Sequence, residues 1–384
     1  MPNPNAVVST TIRFEPPLDR APLEMLRAEG GLSVELEGGR RVRLDPADAR
    51  SAGFAQVLDG LSKQRLPVYM EIDPATSAIT RLLIPHVARV VGISSTDEDV
   101  LSVELEPSHA RHVLQLGQPD SADLESQLRD ALQSGGPVIL TEDDAHNIID
   151  IRAFTPGPDG PLPPFPPLPP SPKPKLPPPF PWPLSWIWEL LRRIWRWLWW
   201  PWWWFRCASM ASAQQIFNTM NASSCDPLTV PAPCIPFLYP DDGCWARAHE
   251  MCRLMINMGL SPMKVWIQAS SRLHVDTQNN PACFVEWGWH VAPTLCVRGP
   301  RFLQLQQMVI DPSLFTTPVS KATWKCLQGD PNASLTDTAA SIYWLWSGGT
   351  DPTYSQTDNY LAYYRLQLQN RAIQQGPPPY ANCA

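Results

Sequence analysis

Cys244 lies in the run Tyr-Pro-Asp-Asp-Gly-Cys-Trp-Ala-Arg-Ala-His-Glu-Met-Cys (239–252). Two acids and a glycine precede residues with helical spacing, which is the composition of a helix start, and Gly259 followed by Pro262 ends the pattern. A thiol at a helix N-terminus faces orphan N–H groups and the positive end of the helix dipole, which favour the thiolate and lower its pKa. Cys244 is therefore a packed thiol, half of a disulfide, or a nucleophile. The last option requires a proton carrier within reach.

Three histidines follow it. His249 is five residues on and about 140° round the same helix, so it points away from Cys244. His274 falls in Ser-Ser-Arg-Leu-His-Val-Asp-Thr-Gln-Asn-Asn-Pro, which reads as a polar loop. His290 sits in Cys-Phe-Val-Glu-Trp-Gly-Trp-His-Val-Ala-Pro (283–293), where the aromatic and β-branched content predicts a strand that could hold the imidazole over the helix end. The following strand pattern, 302–315, contains Asp311 and is joined through Arg-Gly-Pro-Arg. Across an antiparallel pair Asp311 can reach His290 and fix its tautomer. Cys, His and Asp so arranged suit acyl transfer. The types alone also fit three unrelated buried residues.

The words of the sequence narrow this. The runs IPFLYPDDGCWARAHEM, NMG, VEWGWHVAP, VIDPSLF and ATW, in this order over about 235–325, closely resemble the bacterial protein-glutaminases (protein-glutamine deamidases). The resemblance implies a papain- and transglutaminase-like α+β core, with Cys244 as nucleophile, His290 as its partner and Asp311 as the third member. His249 belongs to the motif but not to the triad. It also implies a protein substrate with an accessible glutamine, hydrolysed to glutamate through a thioester, with no cofactor and no metal. Trp245, Trp287 and Trp289 flank the triad; they are core by default, or walls of a glutamine slot. The rivals are a transglutaminase or thiol protease on the same core, and a membrane-interacting protein or toxin whose site is vestigial.

The elements around this segment divide into four parts. Residues 1–155 read as a separate acidic α+β domain: a hairpin in LSVELEGGRRVRLD, helices in ADARSAGFAQVLDGLSKQ and DSADLESQLRDALQSG, and strands in LPVYMEID, VLSVELE and VILTEDDAHNIIDIRAF. His109, His112 and His146 are scattered there as ordinary histidines, with no metal-ligand spacing. Residues 156–184 carry sixteen prolines in 29 positions, which excludes a helix or sheet and predicts a polyproline spacer. Residues 185–206 form a Trp/Arg-rich amphipathic segment in which Glu189, Arg192, Arg193 and Arg196 share one face. Four charges argue against a span. The segment suits an anionic membrane surface, or packing on a neighbouring domain. Residues 207–384 are the catalytic domain, with a short helix in SAQQIFNTMN and a last helix in TDNYLAYYRLQLQNRAIQQ.

Charge is uneven: residues 1–160 hold 25 acids against 14 Lys/Arg, which argues against nucleic acid as a partner. All nine cysteines lie at or after Cys207, dense enough to predict disulfides and an oxidising compartment, while the start of the chain shows no signal peptide. The expectation is a secreted or membrane-associated protein with one thiol left over; no pairing is predicted. Cys252, on the same helix as Cys244, is expected to be buried rather than reactive.

Overall fold

The computed structural model describes residues 5–9, 12–18, 22–29, 31–97, 99–154, 207–299, 301 and 304–383. The proline-rich and Trp-rich segments, and with them the spacer and membrane-surface readings, lie outside the described residues. In chain order the first half comprises β1 (Ala6–Ser9), β2 (Ile12–Glu15), α1 (Pro22–Glu29), β3 (Leu32–Leu36), β4 (Arg41–Leu44), α2 (Ser51–Gln64), β5 (Val68–Ile72), β6 (Ile79–Leu83), β7 (His86–Asp97), β8 (Val100–Glu106), β9 (His112–Gln115), α3 (Ser121–Ser134), β10 (Pro137–Glu142) and β11 (Ile148–Ala153). The second half comprises α4 (Met210–Ala222), α5 (Cys244–Asn257), β12 (Met263–Asp276), β13 (Phe284–Arg298), β14 (Leu305–Val309), β15 (Val319–Ser320), α6 (Lys321–Leu327), β16 (Ser334–Ala339), β17 (Ile342–Trp344), β18 (Gly349–Thr350) and α7 (Ser355–Gln375).

This is a mixed helix-and-strand architecture with several antiparallel sheets. β3 and β4 make the expected hairpin, in which Val34 opposes Val42 and the alternating apolar residues go to the core. The run VILTEDDAHNIIDIRAF is two strands, not one. Asp143 closes a turn through its main chain and carboxylate to Ala145, His146 and Asn147, so β10 folds back on β11.

The second half is built on a five-stranded sheet in the order β15-β14-β13-β12-β16. The long β12–β13 ladder pairs Ile267 with His290, and β13 pairs with β14 only from Thr294 to Arg298. β14 therefore leaves the edge of β13 from about Phe284 to His290 open to another partner. The segment around His274 is part of β12 rather than a loop; its ring bonds Glu286 across the ladder and Asp276 on its own strand. One face of the sheet packs against α5 and α4, and α7 packs on α5 behind it, where Phe217, Trp245, Met251, Trp266 and Tyr364 form the largest core.

The long final helix begins at Ser355, earlier than the Thr357 or Asp358 start the sequence suggested, and Asp351 receives the Thr357 N–H and hydroxyl at 2.8 Å. It also serves the first half. Leu366 joins the core made by α2 and β1–β6, and Ile373 packs against it. Asn370 and Gln374 donate to the Leu82 carbonyl, and Gln367 to that of Ile84.

Three disulfides tie this half: Cys207–Cys296, Cys225–Cys234 and Cys283–Cys383. Cys244, Cys252 and Cys326 are free, the first two buried and the last exposed, so three thiols are left over rather than one.

Candidate active site

Cys244 is the first residue of α5, placed there by Gly243, whose φ of 80° belongs to the left-handed region. A Cβ at Gly243 would run into the Tyr364 ring, so the position takes no side chain. The acids before it do not cap the helix through their side chains. Asp242 Oδ1 accepts the Gly243 N–H at 2.9 Å and the His109 N–H at 3.1 Å, and its Oδ2 accepts the Tyr364 hydroxyl at 2.8 Å. Asp241 is buried in a bidentate pair with Arg371, both contacts at 2.8 Å, and also accepts from Asn280. The same guanidinium lies over the Tyr239 ring, 4.4 Å from its centroid, and reaches Asp144 at 2.8 Å. Arg247 holds the loop before the helix by donating to the Tyr239 and Asp242 carbonyls.

His290 and Asp311 come together at the end of the β13–β14 pair, where the Ile310 N–H bonds the Pro293 carbonyl. His290 Nε2 lies 3.0 Å from Asp311 Oδ2, and Trp324 Nε1 donates to the same oxygen at 2.9 Å. The imidazole is held between two indoles: Trp287 stacks on it at 4.6 Å and 10°, and Trp324 at 5.5 Å and 29°. Its Nδ1 is buried without a hydrogen-bond partner. One donor atom each of Cys244, His290 and His109 lie within 4.8 Å of one another. Ion pairing and the Trp324 bond hold Asp311 below the usual carboxylate range despite its burial.

Trp245 and Trp287 are fully buried, and Trp287 Nε1 donates to the Asp241 carbonyl at 2.9 Å. Trp289 is half-buried, with its ring centroid 5.2 Å from that of His109. His249 points away from Cys244, as the helical spacing requires. It receives Lys264 Nζ at 2.8 Å, and that buried lysine, brought down to about 8 by desolvation, also bonds the Ile342 carbonyl. Cys252 is buried, and desolvation raises it to about 11.

The environment of Cys244 departs from the sequence expectation in one respect. The thiol is raised well above its ordinary pKa, mainly by burial, with the Asp242 and Asp311 charges adding to this and Arg247 and the Val291 backbone opposing it. The helix start is there, but desolvation outweighs it. Segment 108–112 of the first half adds to the burial that the second half's own core imposes on Cys244. His109 and Arg111 pair with the open edge of β13: the Gly288 N–H bonds the His109 carbonyl and the Arg111 N–H the Glu286 carbonyl, both at 3.0 Å. This is strand addition to a sheet edge. It carries the His109 ring onto the helix end, where Nε2 accepts the Cys244 N–H at 3.4 Å. His109 is 1 % exposed, and burial with the nearby His290 and Arg247 drives its pKa well below the ordinary value, against the Trp289 backbone.

The histidines of the first half are thus not scattered. His86 Nε2 at 3.0 Å, His112 Nδ1 at 2.5 Å and His146 Nδ1 at 2.8 Å converge on the Glu142 carboxylate, and His146 reaches Asp241 at 3.5 Å. Among the described residues, two groups have the donor set for a metal ion: His109, Cys244 and His290, and His112, Glu142 and His146. The second is already bonded within itself. Spacing in the sequence could not reveal either group, because the fold brings their members together from separate strands and loops.

Residues 213–327 match the family model described as Glutaminase. No curated protein matches the chain. Among solved structures, a pro-protein-glutaminase crystal structure is 21% identical, with 79% of this chain and 99% of that one covered at a TM-score of 0.47. The NMR structure of protein-glutaminase from Chryseobacterium proteolyticum is 26% identical, with 46% of this chain and 97% of that one covered at 0.34. The match supports a glutaminase-type amidohydrolase assignment for residues 213–327. Over that segment the chain is similar to the glutaminase family, as the wording of the sequence indicated.

Proposed function

We propose that this protein deamidates glutamine side chains of other proteins, with Cys244 as nucleophile, His290 as proton carrier and Asp311 as the residue that orients it. The observation that carries the reading is the convergence of a free thiol at the head of α5, an unpartnered imidazole nitrogen and a buried carboxylate within the family-matched segment. A cysteine-bearing helix packed on an antiparallel sheet also supports a papain- and transglutaminase-like core for 207–384. The Cys244 thiolate attacks the γ-carboxamide carbon, and the Cys244 N–H receives the oxyanion. Protonated His290 gives its proton to the departing nitrogen, so ammonia leaves and a thioester remains. Water, deprotonated by the same imidazole, releases glutamate. Asp311 stabilises the imidazolium in both halves of the cycle.

In the conformation described, the protein is latent. His109 takes the N–H that the oxyanion needs, and 108–112 occupies the sheet edge where an extended substrate would lie. The test measures ammonia from a glutamine-rich protein with the full chain, and after limited proteolysis that degrades the N-terminal half, each beside its Cys244→Ala control. The reading expects ammonia without cross-links or peptide cleavage, chiefly after trimming. Cross-links or cleaved chains select the transglutaminase or protease alternative. Trimmed protein releasing no more ammonia than Cys244→Ala refutes the enzyme.

A further inference from the structure

We infer that the latent protein binds one zinc-type divalent cation through Cys244, His290 and His109, and that this ion pins the N-terminal half to the catalytic site. Three donors of the kinds that borderline-soft cations prefer, one sulfur and two imidazole nitrogens, lie within 4.8 Å of one another and are all buried. Metal–ligand bonds of about 2.0–2.3 Å place tetrahedral donors roughly 3.3–3.8 Å apart, so the group closes on an ion by side-chain shifts of about 1 Å or less.

The surroundings of the two rings match. Each has a buried Nδ1 with no hydrogen-bond partner, and each has its Nε2 beside a carboxylate: His290 at 3.0 Å from Asp311, His109 at 3.4 Å from Asp242. With the metal on Nδ1, the His290 Nε2–H donates to Asp311, while the His109 proton moves from Nδ1 to Nε2, which gives up the Cys244 N–H and donates to Asp242; carboxylates so placed fix ring orientation in histidine metal sites. The step balances simply. The thiol gives its proton to solvent as the sulfur–metal bond forms, two imidazoles replace water on the ion, and one water stays at the fourth position. The net positive charge left by a divalent ion and a thiolate faces Asp242 and Asp311. The ligands come from both halves of the chain, so binding requires the docked arrangement and reinforces it.

The inference does not need the deamidase reading, and its test reads no activity. Full-length chain with Cys326→Ser, to remove the exposed thiol, is stripped with chelator and titrated with cobalt, then with zinc. Expected are one cobalt per chain with a thiolate-to-cobalt absorption band, release of one proton per chain from the thiol, and displacement of cobalt by zinc. Cys244→Ser should abolish the band, and both Cys244→Ser and His109→Gln should weaken binding by more than the ~10–100-fold typical of outer-shell changes. His109→Gln retains an acceptor for the Cys244 N–H, and circular dichroism melts of each variant verify the fold. Absence of a thiolate band at micromolar cobalt overturns the inference. So does binding undiminished in both variants, which assigns the metal to His112, Glu142 and His146.

Discussion

Replacing Asp311 with Asn isolates the charge of the carboxylate from its geometry. Both donors to this side chain, His290 Nε2 and Trp324 Nε1, point at one oxygen, Oδ2, at 3.0 and 2.9 Å. An asparagine carbonyl oxygen set there accepts both bonds, so the Nε2–H tautomer persists and only the negative charge is lost. A hydrogen bond to a charged group is worth about 1.5–3 kcal/mol against about 0.5–1.5 for a neutral one. The Trp324 bond is the same before and during reaction, so only the His290 bond, which strengthens as the imidazolium forms, affects the rate. The expected loss is the difference, about 1–1.5 kcal/mol, or roughly 5–12-fold in kcat/KM. That is far less than the ~10⁴-fold that follows when an amide enforces the wrong tautomer in a serine triad. The assay is ammonia release by trimmed Asp311→Asn protein against trimmed wild type. Adding Trp324→Phe should deepen the loss, because the amide is then free to turn its NH₂ toward the ring. A loss below about 3-fold, or one near the ~10⁴-fold wrong-tautomer value, refutes the argument.

Three further outcomes follow from the same geometry. Gly243→Ala puts a side chain into the Tyr364 ring at φ 80°, and should destabilise the fold by about 1–3 kcal/mol from the backbone alone, with the clash added, seen as a lowered denaturation midpoint. Arg371→Met leaves Asp241 buried and without its guanidinium, and should cost about 3–5 kcal/mol in chemical unfolding; a neutral result would mean water reaches that carboxylate. The pH dependence has a sign. His109 is held below its unfolded pKa of about 6.5, so the stability it contributes is complete above that pH and falls away as pH drops through the folded value. His86 and His146 are raised, so they act oppositely: their contribution is complete below about 6.5 and is lost as pH rises through their folded values. Melting temperatures of wild type and His109→Gln should therefore converge or cross on acidification below about 6.5, and parallel curves would contradict the assignment of a neutral buried His109.

The second half was legible where chemistry and local pattern coincide. The helix start at Cys244, the strand bearing His290 and its antiparallel partner ending near Asp311 all follow from local composition, and the family resemblance followed from wording. The state of the site was not legible. Whether Cys244 is easily ionised depends on what covers it, and one covering residue, His109, is 135 positions away on a segment with no motif of its own. His86, His112 and His146 likewise meet at Glu142 because three strands and a turn converge, and no spacing rule anticipates that. Asp241 looks like a capping residue and is instead half of an ion pair with Arg371, because the last helix passes behind the loop.

That last helix also determines how the two halves can part. Leu366 and Ile373 belong to the interior of the N-terminal half, and Asn370 and Gln374 are bonded to its main chain at Leu82. A single cut between 155 and 206 would therefore leave two polypeptides clasped as one particle through gel filtration. Unmasking the thiol demands that the front portion be digested or pried off, and afterwards α7 must tolerate a freshly wetted apolar stripe along the side facing away from α5.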